Sequence, residues 1–197
     1  MKVNEIFYSL QGEGLYTGTP SMFLRFAGCN LKCPFCDTKH EPYEELTEDE
    51  IVAKMASIGG VTHAVITGGE PTLQITRSLI DKLHDKGFFV QIETNGTVRL
   101  KDDLDCVIDY ITCSPKFQFC KKADVNIQRI DELKVVFNGY NDLSAYDKIN
   151  CKLRYVQPCD VGDTDKNRHI LEATKNYILT HPCWRLSLQT QKIINVR

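Results

Sequence analysis

The stretch HAVITGGEPTLQITRSLIDKLHDKGFFVQIETNG, residues 63–96, decides the fold class. His63–Thr67 reads as a short buried strand that stops at Gly68-Gly69. Ile75, Leu79, Ile80 and Leu83 then share one face at helical spacing, and Gly87 is placed to cap the helix at its C-terminus. Phe88–Glu93 is a second strand, ended by the turn-forming pair Asn95-Gly96. A strand, a helix and a strand in this order form a crossover unit, which makes the two strands parallel neighbours.

The pattern continues on both sides. Thr47–Ile58 opens with a capping box, in which Thr47 accepts from the Glu50 amide while Glu50 reaches back, and Ile51, Met55 and Ile58 share a face. Tyr110–Cys113, Glu132–Phe137, Leu153–Gln157 and Arg185–Gln189 read as further strands, with a long helix over Thr164–Leu179 between the last two. The expected fold is therefore α/β: a compact partial or modified (β/α) barrel with a mostly parallel sheet, in a single domain over residues 1–197. Ligands of such sheets sit at the carboxyl ends of the strands. That rule selects Thr67 to Glu70, Glu93 to Asn95, Ser114 to Lys116 and Gln157 to Asp160 as site segments.

Composition narrows the class. Hydrophobic residues at 42% and charged residues at 25% suit a soluble globular protein, and a net charge of −2 favours neither nucleic acid nor an anionic membrane. No apolar run reaches membrane-spanning length, and the N-terminus lacks a signal-peptide pattern, so a cytoplasmic protein is expected. The nine cysteines are an odd number without a regular framework, so a disulfide scaffold is not expected.

Three of them, Cys29, Cys33 and Cys36, lie within eight residues, in Ala27-Gly28-Cys29-Asn30-Leu31-Lys32-Cys33-Pro34-Phe35-Cys36-Asp37-Thr38. Three thiolates so close can wrap one centre. A structural zinc would want a fourth ligand, from His40 or a distant cysteine, and remains an alternative. Three thiolates on a [4Fe–4S] cluster leave one iron open to the amino and carboxylate groups of a methionine moiety. Cys106, Cys113 and Cys120 recur every seven residues. Equal spacing does not put them on one face, so buried unliganded thiols are expected rather than a second cluster. Cys151, Cys159 and Cys183 are scattered.

The C-x3-C-x2-C spacing, with Phe35 just before the third cysteine, resembles the signature of the radical S-adenosylmethionine superfamily. Gly68-Gly69-Glu70-Pro71 resembles its glycine-rich segment, where backbone must approach the ligand without a Cβ. Several further segments extend the likeness to nearly the whole chain: Glu5 to Gly14, Phe23 to Gly28, Cys36-Asp37-Thr38, Glu93 to Gly96, Ser114-Pro115-Lys116, Glu132 to Val136, Gln157-Pro158 and Trp184 to Thr190. Together they resemble the 7-carboxy-7-deazaguanine synthase family.

The resemblance implies a lyase that contracts the ring of 6-carboxy-5,6,7,8-tetrahydropterin to 7-carboxy-7-deazaguanine with loss of ammonia, in queuosine-type biosynthesis. It implies a [4Fe–4S] cluster on Cys29, Cys33 and Cys36, S-adenosylmethionine and Mg2+, with Thr38 as the metal's hydroxyl ligand. Phe35, Cys36, Asp37, Gly69, Ser114, Pro115, Lys116, Gln157, Pro158, Cys159 and Asp160 are implied cofactor contacts. Leu10, Gln11, Gly12, Arg25, Thr67 and the terminal carboxylate of Arg197, which ends the chain after a strand pattern, are implied substrate contacts. Arg25 suits the substrate carboxylate because its guanidinium donates two parallel N–H bonds. Glu13 lies nearby without an assigned role. Gln191 stands where the family is expected to carry histidine. A homodimer and a flavodoxin- or ferredoxin-type electron donor are also implied. A glycyl-radical activase, which needs no pterin site, and a zinc-binding interaction module are the competing readings.

Overall fold

The computed structural model describes residues 1–39 and 41–197. Its strands are β1 (Lys2–Leu10), β2 (Pro20–Phe26), β3 (Glu44–Glu45), β4 (His63–Gly68), β5 (Phe89–Thr94), β6 (Tyr110–Cys113), β7 (Glu132–Phe137), β8 (Leu153–Pro158) and β9 (Arg185–Leu186). The α-helices are α1 (Glu48–Met55), α2 (Arg77–Asp85), α3 (Asp102–Asp105), α4 (Thr164–Thr180) and α5 (Thr190–Ile193). Among the described residues no helix is long and apolar enough to cross a membrane, and none of the nine cysteines is disulfide-bonded.

Among the described residues all nine strands join one sheet in the order β3-β1-β2-β4-β5-β6-β7-β8-β9. From β2 to β9 every neighbouring pair is parallel. β1 runs antiparallel to both β2 and β3. The expected α/β partial barrel with a mostly parallel sheet is what forms, and β3 and β9 are its open edges.

Local chemistry explains the elements. Thr47 and Glu50 make the reciprocal capping box that starts α1. Thr76 caps α2 by accepting from the Leu79 amide, and Gly87, at φ +82°, takes the left-handed conformation that ends it. Alternate residues on the strands then divide the sheet. On β7, Leu133, Val135 and Phe137 are buried in the helix-covered core. Glu132 and Lys134 point the other way, into the barrel.

Some sequence expectations change here. The helix expected over Thr47–Ile58 closes at Met55, with Ile58 exposed. Ile75 precedes α2 rather than opening it. The strand expected over Arg185–Gln189 pairs only through Arg185 and Leu186. Beyond it the chain turns into α5, so Arg197 follows a helix and not a strand. The cause is Gly12, whose carbonyl accepts from the Thr190 amide at 3.0 Å and draws the segment off the sheet.

The amino ends of the strands are plugged. Tyr16, from the loop between β1 and β2, meets His63, Phe89 and Tyr110 edge-on at 4.7, 5.4 and 4.9 Å between ring centroids. These three residues begin β4, β5 and β6, so one ring closes the bottom of the barrel and leaves the carboxyl ends open. Tyr16→Ala is expected to lower unfolding free energy by about 2 kcal/mol, from lost edge-to-face contacts and buried area. Urea unfolding followed by circular dichroism checks this, and an unchanged midpoint would show that the plug contributes nothing.

Candidate active site

The cysteine loop leaves β2 at Phe26 and is seated by backbone contacts on β4. The Gly69 amide donates to Phe26 O at 3.1 Å, and the Glu70 amide donates to Gly28 O at 2.9 Å. A Cβ on Gly69 would stand 1.9 Å from Gly28 O and 2.9 Å from the Cys29 Cβ, so only glycine permits this approach. Glu70 is fully buried, and its carboxylate accepts from the Thr94 hydroxyl and the Asn95 amide, both at 2.7 Å. It therefore acts as a clasp between the ends of β4 and β5. At the loop's far side, Lys192 bridges Asp37 at 3.3 Å and Asp160 at 3.0 Å. The Gly162 amide, Lys192 and Asn167 together hold the Asp160 carboxyl down at about 2. A loop without regular structure is thus pinned at both ends.

The loop and the open end of the barrel enclose a cavity of about 960 Å³. This is near the upper end of the range for small-molecule sites, with room for more than one ligand. Every site residue expected from the sequence lines it except Glu70 and Pro115, both of which are buried behind its wall. Cys29, Cys33 and Cys36 are on its wall, as are Phe35, Thr38, Gly69 and Thr67.

Burial pushes the Cys29 thiol up, and burial is also the main cause that pushes Cys33 up to about 12, with the neighbouring Cys120 sulfur adding to it. Such thiols become thiolates when a metal replaces the proton. Donors for a thiolate are already placed: the Leu31 amide lies 3.4 Å from Cys29 Sγ, and Asn95 Nδ2 lies 4.0 Å from it. Among the described residues no three His, Cys, Asp or Glu side chains converge closely enough to hold one metal ion. A single zinc needs that convergence, whereas a polynuclear cluster takes each thiolate at a separate iron. His40, the alternative zinc ligand, lies outside the described residues. Three thiols along one wall of the cavity, with donors already aimed at Cys29, fit a [4Fe–4S] cluster that takes each thiolate at a separate iron.

A second part of the cavity is charged and lies inside the sheet. Lys134 Nζ pairs with Glu13 and stands 3.4 Å from Glu93, with its side chain only 6% exposed. Gln11 Nε2 donates to Glu93 at 2.8 Å, and Gln189 and Gln191 each donate to Glu13 at 3.2 Å. Burial alone would raise the Glu13 carboxyl, but the Lys134 ammonium overrides it and holds the group at about 2. The same pairing raises Lys134 against its burial. Gly12 and Gly14 let the loop carrying Glu13 cross the barrel, since a Cβ would lie 1.8 Å from Gln191 Oε1 or 2.1 Å from Glu132 Oε1.

Toward the antiparallel edge, Phe7 stacks on Phe23 at 4.9 Å, and both Arg25 and Arg197 lie over the Phe7 ring. Arg25 Nε donates to Glu5 at 2.7 Å. The Ser9 hydroxyl donates to the Arg197 main-chain oxygen at 2.6 Å, which holds this last segment at the cavity.

Sequence reasoning placed Glu93 in a site segment without a role of its own, and assigned none to Lys134 or Glu13. The available signal was the alternation Glu132, Lys134 within an otherwise apolar strand, which marks a polar inner face. Of the evenly spaced cysteines expected to be buried, Cys113 is buried and Cys106 is exposed. Cys120, however, sits 3.7 Å from Cys33.

A family model described as the radical SAM (S-adenosylmethionine) superfamily matches residues 24–142. The 7-carboxy-7-deazaguanine synthase of Bacteroides thetaiotaomicron is 48% identical, over 100% of this chain and 98% of the relative. That of Burkholderia multivorans is 38% identical over 98% of each chain. The crystal structure of QueE from Escherichia coli superposes with a TM-score of 0.76 at 30% identity, over 96% of this chain and 93% of that one.

The Glu13–Lys134 pair generates a pH prediction. The folded pKa of Glu13 is depressed below its ordinary 4.5. The stability it contributes is therefore complete above about pH 4.5 and is lost as pH falls toward about 2. Glu13→Gln should be less stable than the wild type near neutrality, with a gap that narrows on acidification. Urea titrations across that range would show a constant gap if the pairing were unimportant.

Proposed function

Because the chain belongs to the radical S-adenosylmethionine superfamily and, within it, to the 7-carboxy-7-deazaguanine synthase family, we propose that its cavity contracts 6-carboxy-5,6,7,8-tetrahydropterin to 7-carboxy-7-deazaguanine with loss of ammonia. The protein is an enzyme of the lyase class, and its family's cofactors are a [4Fe–4S] cluster, S-adenosylmethionine and Mg2+. The observation that carries the substrate assignment is that the cysteine loop, Arg25 and the half-buried carboxylates Glu13 and Glu93 open into one cavity.

When bound, the cluster and S-adenosylmethionine supply a 5′-deoxyadenosyl radical able to take hydrogen from C6 of the pterin. Everything else is positioning by this chain. Cys29, Cys33 and Cys36 hold the cluster. The Gly69 backbone approaches the methionine moiety, while Phe35, Asp37, Ser114, Lys116, Gln157, Pro158, Cys159 and Asp160 line the cofactor side. Pro115 supports that wall from behind.

Arg25 is oriented by Glu5 through Nε, which leaves its two terminal nitrogens to fork onto the substrate carboxylate. Thr38 offers Mg2+ a hard oxygen near the same carboxylate. Glu13 and Glu93 are acceptors suited to the N–H donors of the pterin pyrimidine edge, beside Leu10, Gln11, Gly12, Thr67 and the Arg197 main-chain oxygen. Lys134 keeps the Glu13 carboxylate ionised and stands between it and Glu93, offsetting their like charge. Tyr16 and the residues that close the floor keep bulk water from the amino end of the barrel.

The reading includes one catalytic domain over residues 1–197, a homodimer in the cytoplasm and a one-electron donor of flavodoxin or ferredoxin type. An activase acting on a protein glycine has no use for the inward-facing Arg25, Glu13 and Glu93.

The test is anaerobic turnover of reconstituted protein with the carboxytetrahydropterin, S-adenosylmethionine, Mg2+ and dithionite, monitored by chromatography and mass. Wild type should form the deazaguanine, and each of Cys29→Ala, Cys33→Ala and Cys36→Ala should form none. Deoxyadenosine without deazaguanine would overturn the substrate assignment.

A further inference from the structure

The loop after β6 brings a fourth sulfur to the cysteine loop. Residues 116–120 make one helical turn, in which the Phe119 and Cys120 amides both donate to Lys116 O at 2.8 Å. Two adjacent residues of this turn meet the cysteine loop. Phe119 packs edge-on against Phe35, with centroids 4.8 Å apart at 85°. Cys120 Sγ stands 3.7 Å from Cys33 Sγ.

The turn is itself anchored from the other side. Phe117 packs on Tyr146 at 4.7 Å, and Gln118 exchanges hydrogen bonds with the main chain of Asp142. Cys120 is therefore pressed against Cys33 by a braced element. It is half-buried and stands outside the wall of the cavity that carries the three loop cysteines.

A cysteine bound to iron is a thiolate and has no proton to give. In any S–H···S hydrogen bond with iron-bound Cys33, the proton must come from Cys120. The separation is a hydrogen-bonded one, far from the roughly 2.05 Å of a disulfide. Hydrogen bonds to the sulfurs are one of the levers that set a cluster's reduction potential. Their effect is directional: the electron that reduces the cluster adds negative charge to its sulfurs, so a donor stabilises the reduced state more than the oxidised one.

We propose that Cys120 is the hydrogen-bond donor to the Cys33 thiolate, and that through this contact the fold raises the reduction potential of the iron–sulfur cluster. The proposal rests on the reading that Cys33 is an iron ligand. Cys120 is then a positioning residue: it touches neither pterin nor S-adenosylmethionine and acts through Cys33 alone. A higher potential lets a weaker one-electron donor load the cluster.

The experiment compares wild type with Cys120→Ala, Cys120→Val and Cys120→Ser, reconstituted anaerobically and assayed for iron and sulfide per chain. Each loaded protein is then titrated electrochemically, with the reduced cluster followed by electron paramagnetic resonance and no S-adenosylmethionine present. All should carry a [4Fe–4S] complement. Cys120→Ala and Cys120→Val, which cannot donate, should shift to a more negative midpoint. Cys120→Ser, which still donates through O–H, should stay near wild type. Two non-donor variants guard against a failure specific to one of them.

Midpoints equal to wild type in both non-donor variants would overturn the proposal. So would loss of the cluster in all three variants while Cys33→Ala still loads, because Cys120 would then be the ligand. Failure of the underlying reading looks different: Cys33→Ala and the Cys120 variants alike would load as wild type does.

Discussion

No side-chain atom fits between Gly69 and the carbonyl of Gly28, and the active end of this protein is built on that contact. A Cβ on Gly69 would lie 1.9 Å from Gly28 O. The bare backbone instead lets the end of β4 hydrogen-bond directly to the turn after β2. That contact puts Cys29 beside the carboxyl ends of two central strands. The rest of the cysteine loop, which has no regular hydrogen bonding of its own, is then held by Lys192 at Asp37 and by Phe119 at Phe35. Cluster chemistry needs its ligands fixed relative to the substrate, and these contacts supply that fixity without a helix or strand.

The sheet separates two kinds of burial. Its outer face, with Leu24, Ile66, Ile92, Leu133 and Val135, forms a dry core against the helices. Its inner face carries Arg25, Glu93, Glu132 and Lys134. Burying an ion pair costs desolvation that pairing only partly offsets, so an apolar interior would have been no less stable. The charged interior makes sense as a binding surface: Lys134 holds Glu13 ionised at about 2 where burial alone would favour the neutral acid. Stability is supplied by one face of each strand and recognition by the other, through the period of two.

Much of this was legible in the sequence, for stated reasons. Tyr110–Cys113 and Glu132–Phe137 were readable to the residue because β-branched and aromatic runs there are bounded by turn formers. The cysteine loop was readable because ligand spacing is local. What depended on contacts between distant segments was not. Nothing local shows that residues 11–16 cross the barrel to place Tyr16 against His63 and Glu13 against Lys134. The strand-end rule also misses this loop, because β1 runs antiparallel to β2 and enters the barrel from the other side. The short β9 reflects a competing bond, from the Thr190 amide to Gly12 O. Cys120 was read only as one of three evenly spaced cysteines. Spacing could not show that an anchored turn would press it, and not Cys106 or Cys113, against Cys33.

The central claim is that this cavity places C6 of a carboxylated pterin where a 5′-deoxyadenosyl radical can take its hydrogen. The most direct measurement uses pterin deuterated at C6, turned over anaerobically, with S-adenosylmethionine and deoxyadenosine recovered for mass analysis. The account predicts deuterium on the 5′ carbon of the recovered nucleoside pool together with formation of 7-carboxy-7-deazaguanine. Product formed with the deuterium released only to solvent would contradict it.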